Sequence, residues 1–362
     1  MEATTEAYDR RALIKQLQFA FIVDEVGVHM SEVICGIGMF LNGLLCYLIL
    51  TKTPVHMRAY AVLLFNFAFF DFFTCLASLF ACQKPYFTGV SLVYIFLGPC
   101  KYVAPWLCYF CHCVVCHAMA HSQNILLISF IYRYWILVDI QPRIGQMIGL
   151  SVAFYSVSLT FFVFYYLDIG DSSELMRILT TFHPQNHYDD ETIWGKITVS
   201  GNTSIFRIAS LAAIVYMTLP CVPIYALILT YRKKTLKILA SSALNMSETT
   251  RKGHAKLIKA LTIQAAIPLF WLVASGIFTM SEFGIVSGPI PEVITFRLME
   301  CIPMTSPMVA LIFISPYRIG LLKMIAKTGL IKYGDGNKVG NVGGESKSNA
   351  KPSAVDTAAD LA

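Results

Sequence analysis

The chain has 362 residues, of which 56% are hydrophobic and only 14% are charged, and its mean hydropathy is +0.61. Soluble domains carry about 25% charged residues, so this composition excludes an ordinary soluble domain and indicates a membrane protein. The net charge is +6. The basic residues lie in loops between apolar stretches rather than on one folded patch, which favours the lipid bilayer and cytoplasmic partners over nucleic acid.

The first 32 residues form a mixed, partly acidic stretch without a strong pattern. No basic segment followed by a small-residue cleavage site opens the sequence, so we expect no cleaved signal peptide. We predict an extracellular tail over 1–32, a membrane domain over 33–325 and a disordered cytoplasmic tail, rich in Gly, Ser and Asn, over 326–362.

Seven apolar stretches follow one another, most of them close to or above the roughly 20 residues that a helix needs to cross a bilayer. They cover about 33–50, 60–82, 98–138, 144–167, 206–231, 257–280 and 293–314. After the last one, apolar and basic residues alternate at helical spacing, which predicts an amphipathic helix on the inner membrane surface. The predicted fold class is an all-α bundle of seven transmembrane helices.

The basic loops predict the orientation of the bundle. Lys233, Lys234 and most other basic residues lie in loops on one side, whereas the opposite loops are rich in acids. We therefore place the amino terminus outside and the carboxyl terminus inside the plasma membrane. In that orientation Asn202, in an Asn-Thr-Ser pattern, is a predicted glycosylation site, and Asn245, in an Asn-Met-Ser pattern, stays unmodified.

Two ionisable residues interrupt the apolar spans. Arg133 ends the third span, and we expect it to lie at a water-facing end and to face the bundle interior, because a charge inside a membrane is costly and usually functional. A residue that merely snorkels at the membrane edge is the alternative. Asp71 is the acid buried within the second span. We expect it to point inward, towards the third helix, in a buried polar network with Asn42, Asn66 and Ser306.

Two helical stripes predict a ligand cavity. Residues at helical spacing share the inward face of the third span, and others recur at i, i+4, i+7 and i+11 in the sixth. If the helices form one bundle, the stripes converge on an apolar cavity with a few polar groups, which suits a small ligand. Plain core packing is the alternative. The predicted ligand-binding residues are His112, Val115, Met119 and Ser122 in the third span and Gln264, Trp271 and Ser275 in the sixth.

The string CHCVVCHAMAH in the third span contains two patterns that resemble enzyme sites, CxxCH of covalent haem attachment and an HxxxH pair. Both are weak because they lie in the middle of an apolar helix, and helical geometry turns His117 and His121 towards neighbouring helices rather than the bundle interior. No phosphate-binding loop or nucleophile motif is present. We predict no enzyme activity, no cofactor and no metal site.

Three of the eleven cysteines lie at the predicted outer face. These are Cys82, Cys100 and Cys108, and in an oxidising exterior they are candidates to pair among themselves. The sequence leaves open which two of them form the bond.

Several motifs carry a family resemblance. Cys108 lies 25 residues before Arg133, and a Tyr-Arg-Tyr triplet surrounds the arginine, an arrangement similar to the third helix of rhodopsin-like receptors. LGPCKYV (97–103), SFIYRYWIL (129–137), KALTIQAAIPLF (259–270) and SPMVALIFISPYR (306–318) resemble nematode serpentine chemoreceptors, most closely their delta class, Srd.

This resemblance implies a receptor on sensory neurons, often ciliary, that detects an environmental small molecule and signals through a heterotrimeric G protein. Arg133, Tyr134, Lys233 and Lys234 would then form the coupling surface. The sequence departs from the rhodopsin-like pattern at Ser306, where an Asn is usual, and in the long loop, which lacks the cysteine that normally bonds to the third helix.

Two other classes of membrane protein also fit several spans. An odorant-gated cation channel has seven helices with the amino terminus inside, and the charge asymmetry of the loops disfavours it. A small transporter predicts paired broken helices in two halves, and no such internal repeat is evident in the sequence.

Overall fold

The computed structural model describes residues 2–242 and 248–328. The candidate glycosylation site Asn245 and the predicted tail beyond 328 lie outside the described residues. The helices are α1 (Glu2–Lys52), α2 (Arg58–Ala81), α3 (Pro105–Leu137), α4 (Ile144–Leu167), α5 (Ser172–Phe182), α6 (Glu191–Trp194), α7 (Ile208–Thr218), α8 (Cys221–Ser242), α9 (Glu248–Ala266), α10 (Pro268–Glu282), α11 (Pro289–Phe313) and α12 (Ser315–Lys327), and the strands are β1 (Gln83–Phe87), β2 (Leu92–Phe96) and β3 (Thr198–Asn202).

Seven helical segments of the described chain are long and apolar enough to cross a membrane. The predicted seven-helix bundle and the short helix that follows it are therefore confirmed. Helix α3 is central and packs against α2, α4 and α8, while α1 packs against α2 and α11. We call the end of the bundle that carries the strands the sheet end, and the opposite end, with α12, the α12 end.

Prolines divide the fifth and sixth spans into two helices each. Helix α7 ends just before Pro220, and α10 begins at Pro268. Proline has no backbone N–H and its ring clashes with the preceding turn, so a continuous helix is broken there. In contrast, Pro303 and Pro307 lie inside α11, which continues through both.

The start of α1 differs from the predicted boundary. The sequence predicts a tail over 1–32, whereas the structure has a continuous helix from Glu2, and the apolar segment suited to a membrane begins at Leu17. One of the charged residues that break the apolar pattern has a buried partner on another element. Asp24 accepts a hydrogen bond of 2.7 Å from Lys84 in β1.

A three-stranded antiparallel sheet covers the sheet end of the bundle, with the strands in the order β1-β2-β3. The sequence predicts only loops here. Leu92 in β2 pairs with Asn202 in β3. The neighbouring Gly201 has φ +152°, and a Cβ there would come within 1.9 Å of the Leu92 carbonyl oxygen, so the register requires glycine at this position.

Helix α12 is tied to the end of α1 rather than lying free. Gly320 faces α1 so closely that a Cβ would approach Leu48 Cδ2 to 2.9 Å. The Tyr317 hydroxyl is buried and hydrogen-bonds Thr53 Oγ1 at 3.0 Å. Burial raises the pKa of Tyr317 to about 12, so this phenol is neutral at physiological pH.

Candidate functional site

A cavity of about 320 Å³ lies beneath the sheet, enclosed by α3, α4, α7, α10 and α11 and roofed by β2 and the turn before it. Most of its lining is apolar or aromatic. Five of the residues predicted to bind a ligand line it, and these are His112, Val115, Met119, Trp271 and Ser275.

Three polar groups in this cavity have unused hydrogen-bonding capacity. His112 is buried against Tyr94, with ring centroids 4.1 Å apart, and its Nδ1 has no partner. Trp271 Nε1 and Glu282 Oε2 also have no hydrogen-bond partner. A buried polar atom without a partner costs free energy, so these atoms are available to a ligand. Burial raises the pKa of Tyr94 on β2, which keeps that phenol neutral.

Ser122 and Gln264 lie outside this cavity, contrary to the prediction. Ser122 donates to Asp71 Oδ1 at 3.0 Å, and Gln264 Oε1 accepts from Arg133 at 2.5 Å. The helical stripes identified the correct face but not the depth. Gln264 precedes Ser275 by eleven residues, about 16 Å of helix rise, so one small ligand does not reach both.

The long loop is attached to α3 by hydrogen bonds. Asn202 has no exposed surface; its Oδ1 accepts from the Tyr109 hydroxyl at 2.7 Å and its Nδ2 donates to the Asp168 carbonyl at 2.9 Å. The Asp168 carboxylate in turn accepts from Ser210 and lies 2.7 Å from Arg207 Nε. We call Tyr109, Asn202 and Asp168, with Ser210 and Arg207, the loop clamp.

The loop clamp contradicts the predicted glycosylation of Asn202. A glycan is attached through Nδ2, and this atom is buried and already donates to Asp168. The folded chain has no room for a sugar at this position. Asn202 is thus a structural residue at the end of β3 rather than a surface acceptor.

A disulfide joins Cys100 to Cys108 across the turn that precedes α3. Cys82, the third candidate, remains a thiol that is buried against α11, where Arg297 donates towards its Sγ at 3.5 Å. Burial raises the pKa of the Cys82 thiol to about 11. The bond therefore constrains only the start of α3 and does not reach the long loop.

Arg133 is buried at the α12 end of α3 and is held by neutral groups. It donates to Gln264 Oε1 and to the Tyr60 hydroxyl, and its guanidinium carbon lies 5.2 Å from the centroid of the Tyr60 ring. Within the described residues Arg133 forms no ion pair. Tyr134 is half-buried beside Lys234, whose Nζ is 5.7 Å from the centre of the tyrosine ring. Lys233 is exposed.

The sequence matches a family model described as "Serpentine type 7TM GPCR chemoreceptor Srd" over residues 28–323. This chain belongs to the Srd family. Serpentine receptor class delta-1 of Caenorhabditis elegans is 63% identical over 343 residues, 94% of this chain and 92% of that protein. Serpentine receptor class delta-2 is 56% identical over 312 residues, 86% of each chain. The predicted resemblance is confirmed, and the family is a class of chemoreceptors, not of enzymes.

Squid rhodopsin shares the fold of this Srd receptor. The two structures superpose with a TM-score of 0.53 at 12% sequence identity, over 87% of this chain and 89% of the rhodopsin chain. At this identity the match describes the helix bundle alone. Together with the seven spans, it makes the Srd chain a multi-pass membrane protein with a GPCR-like fold.

The polar network of the Srd bundle has two separate parts. Asp71 is buried, its Oδ1 accepts from Ser122 at 3.0 Å, and Ser306 lies near the same carboxylate, while Asn42 donates to the Pro303 carbonyl at 2.7 Å. Asn66 forms the second part, because it contacts His121 and neither Asp71 nor Asn42. It lies five residues before Asp71, about 140° around the helix, and therefore faces α3 and α4 on the other side.

The two histidines of the HxxxH pattern contact neighbouring helices of the receptor. His117 Nδ1 is 2.9 Å from Ser158 Oγ in α4, and His121 Nε2 is 2.8 Å from Asn66 Oδ1 in α2. Each ring has one nitrogen in a helix-to-helix hydrogen bond. This arrangement agrees with the predicted orientation of both side chains.

Sequence reasoning missed several residues of the Srd site. Glu282 lines the cavity and is absent from the predicted ligand-binding residues, although an acid directly after an apolar span is a signal for a buried carboxylate. Lys84 lies between two apolar spans, a position that indicates an exposed loop charge, yet it is 2% exposed and contacts both Asp24 and Glu292, at 2.7 and 3.1 Å. This ion cluster fastens β1, and with it the roof of the cavity, to α1 and α11.

Proposed function

We propose that this receptor binds a small environmental molecule in the cavity beneath the sheet and signals to a heterotrimeric G protein at the α12 end. The observation that carries the proposal is the position of α3, which supplies the cavity with His112, Val115 and Met119 and ends at the buried Arg133. Helix α3 thus connects a ligand-sized cavity to Arg133, whose guanidinium is held by hydrogen bonds that can be broken. Both the ligand and the G protein partner are part of the proposal.

The cavity indicates the kind of ligand. Its volume of about 320 Å³ is near the lower end of the range for small-molecule sites, about 300–1,000 Å³. A ligand that fits is therefore small and mostly apolar. Trp271 Nε1 offers a donor, Glu282 Oε2 an acceptor and His112 Nδ1 a third polar contact, so one or two polar atoms orient the molecule.

Arg133 supplies the switch in this proposal. Hydrogen bonds to a charged group are each worth about 1.5–3 kcal/mol, so the contacts with Gln264 and Tyr60 hold α3, α9 and α2 together in the present arrangement. An agonist shifts the population towards an arrangement in which these contacts are broken. Arg133, Tyr134, Lys233 and Lys234 then face the G protein.

The proposal places the α12 end in the cytoplasm of a sensory cell, with the receptor in the plasma membrane and, in a ciliated neuron, in the cilium. The basic loops support this orientation, because Lys and Arg accumulate on the cytoplasmic side of membrane proteins. The exposed Lys233 and Lys234 at the inner end of α8 belong to this set.

The test is a second-messenger reporter in cells that express the receptor, screened with a panel of small apolar molecules. Met119→Trp fills the cavity and should abolish the response to an active compound. The control Met280→Trp, at an exposed position of α10 outside the cavity, should retain it.

Arg133→Ala tests the opposite end. It should abolish signalling while surface expression and ligand binding persist, and the exposed Arg143→Ala is the matched control. Full signalling by Arg133→Ala would contradict the role of the arginine. An unchanged response in Met119→Trp would contradict the cavity.

A further inference from the structure

A second site lies on the outer surface of the bundle, away from the cavity beneath the sheet. A groove of about 600 Å³ runs between α2 and α4 near the end of α1. Its rim is exposed: the side chain of Leu50 is 74% exposed and that of Val152 is 55% exposed. In a membrane-spanning bundle this surface meets lipid. The apolar walls include Ile49, Val62, Phe65, Phe69, Ile148 and Val152.

One cation, and no acid, lines this groove. Arg58 begins α2 at the α12 end of the groove, and its side chain is exposed. Within the described residues Arg58 has no ion-pair partner and no side-chain hydrogen bond. An unpaired cation at the edge of the membrane attracts the headgroup of an anionic lipid, and basic pockets between membrane helices bind such headgroups.

Two polar groups lie deeper in the same groove. Asn66 Oδ1 faces His121, which leaves the Asn66 amide nitrogen without a partner among the described residues. Ser151 of α4 is only 3% exposed, and its hydroxyl has no hydrogen-bond partner. A purely hydrocarbon occupant would leave both groups unsatisfied in an apolar environment, which costs free energy. The groove is therefore suited to an occupant that has an acceptor at this depth.

We propose that this groove binds an anionic glycerophospholipid. Its phosphate lies at Arg58, its ester carbonyls accept from Asn66 and Ser151, and one acyl chain continues along Phe65 and Phe69. Arg58 and Asn66 are separated by eight residues, about 12 Å of helix rise. Both side chains lean towards the start of α2, as side chains in helices do, so the gap stays near 12 Å of helix rise, and the long, flexible Arg58 side chain and the glycerophosphate region of the lipid span it together.

The alternatives satisfy only half of the site. A sterol carries one hydroxyl and no charge, so it cannot pair with Arg58 and also hydrogen-bond Asn66 and Ser151. A free fatty acid carries the charge but no oxygen at the depth of Asn66. A zwitterionic phospholipid supplies the carbonyls without net charge. The proposal does not rest on a signalling role of the receptor, since the groove and the cavity beneath the sheet share no lining residue.

Native mass spectrometry of the purified full chain in detergent tests whether binding depends on the negative charge of the lipid headgroup. The probes are phosphatidylserine and phosphatidylcholine with identical acyl chains. We expect phosphatidylserine to bind about fivefold more tightly, the factor contributed by one basic residue near a membrane surface. Arg58→Gln should remove this preference, and the matched Arg143→Gln, an exposed cation outside the groove, should keep it. An unchanged preference in Arg58→Gln overturns the proposal.

Two further variants test the groove and its depth. Val62→Trp fills the groove and should abolish binding of both lipids, whereas Val157→Trp, at an exposed position of α4 outside it, should not. Ser151→Val removes the hydroxyl without breaking any hydrogen bond and should weaken the ester lipid two- to fivefold, but not a phosphatidylserine with ether-linked chains. Normal binding to Val62→Trp, equal loss of ester and ether lipids, or displacement of phosphatidylserine by cholesterol overturns the proposal. If Val62→Trp fails to fold, the comparison of Arg58→Gln with Arg143→Gln still tests the proposal.

Discussion

The loop clamp makes a prediction that separates a structural asparagine from a glycosylated one. Asn202→Ala removes two hydrogen bonds, one from Tyr109 and one to the Asp168 carbonyl. At about 1 kcal/mol for each neutral bond, the expected loss in the free energy of unfolding is about 2 kcal/mol. The Tyr109 hydroxyl keeps a second acceptor, the Tyr165 carbonyl at 3.1 Å, so the loss does not rise to the full cost of an orphaned hydroxyl.

The assay is thermal unfolding of the purified receptor in detergent, together with gel mobility before and after removal of N-linked glycans. Ser204→Ala is the matched control, because it destroys the glycosylation pattern and removes only an exposed hydrogen bond from the Phe206 N–H, leaving both bonds of Asn202 in place. We expect Asn202→Ala to be destabilised, Ser204→Ala to unfold like the parent, and all three proteins to have the same mobility. A mobility shift in the parent that both substitutions abolish would show a glycan on Asn202 and refute the clamp.

Three further predictions concern the ends of the bundle. Gln264→Ala should raise ligand-independent signalling about tenfold, because a hydrogen bond to charged Arg133 is worth about 1.5–3 kcal/mol; basal activity at the parent level in a second-messenger assay would argue against this restraint. Lys84→Met leaves Asp24 and Glu292 without their buried partner and should lower the free energy of unfolding by about 3–5 kcal/mol. Lys84→Arg keeps a cation there and should lose less, and equal melting temperatures for the parent and Lys84→Met would contradict the prediction. Epitope tags should be accessible from outside at the amino terminus only; access at the carboxyl terminus only would support the inverted channel, and access at both ends would contradict a bundle of seven spans.

The spans could be predicted from the sequence because the bilayer requires apolar runs of a certain length, and that requirement is local. The partners of charged residues are not local. Asp24 looked like part of a solvated tail, yet its carboxylate meets Lys84, sixty residues later in the chain. The part of α1 that precedes the predicted membrane span could therefore not be recognised as a helix from the sequence, because the residues that stabilise it lie on β1 and α11.

Helical periodicity predicted faces well and depth poorly. His112, Met119 and Trp271 line the cavity, as their stripe positions indicated, but Gln264 on the same stripe reaches Arg133 instead. Angle around a helix follows directly from residue number. Depth relative to another helix depends on how the two helices are offset, and no spacing within one helix contains that offset.

The missing loop cysteine shows how the fold compensates. Because the disulfide of Cys108 goes to Cys100 within the preceding turn, the long loop needs another attachment to the bundle. Pairing of β3 with β2 and the hydrogen bonds of Asn202 provide it. Each of these contacts is individually weak, about 1 kcal/mol, so the attachment of the long loop is divided among several reversible bonds where a disulfide would be one covalent bond. The roof over the cavity is therefore held without a covalent bond to the long loop, by strand pairing, by the hydrogen bonds of Asn202 and by the ion cluster at Lys84.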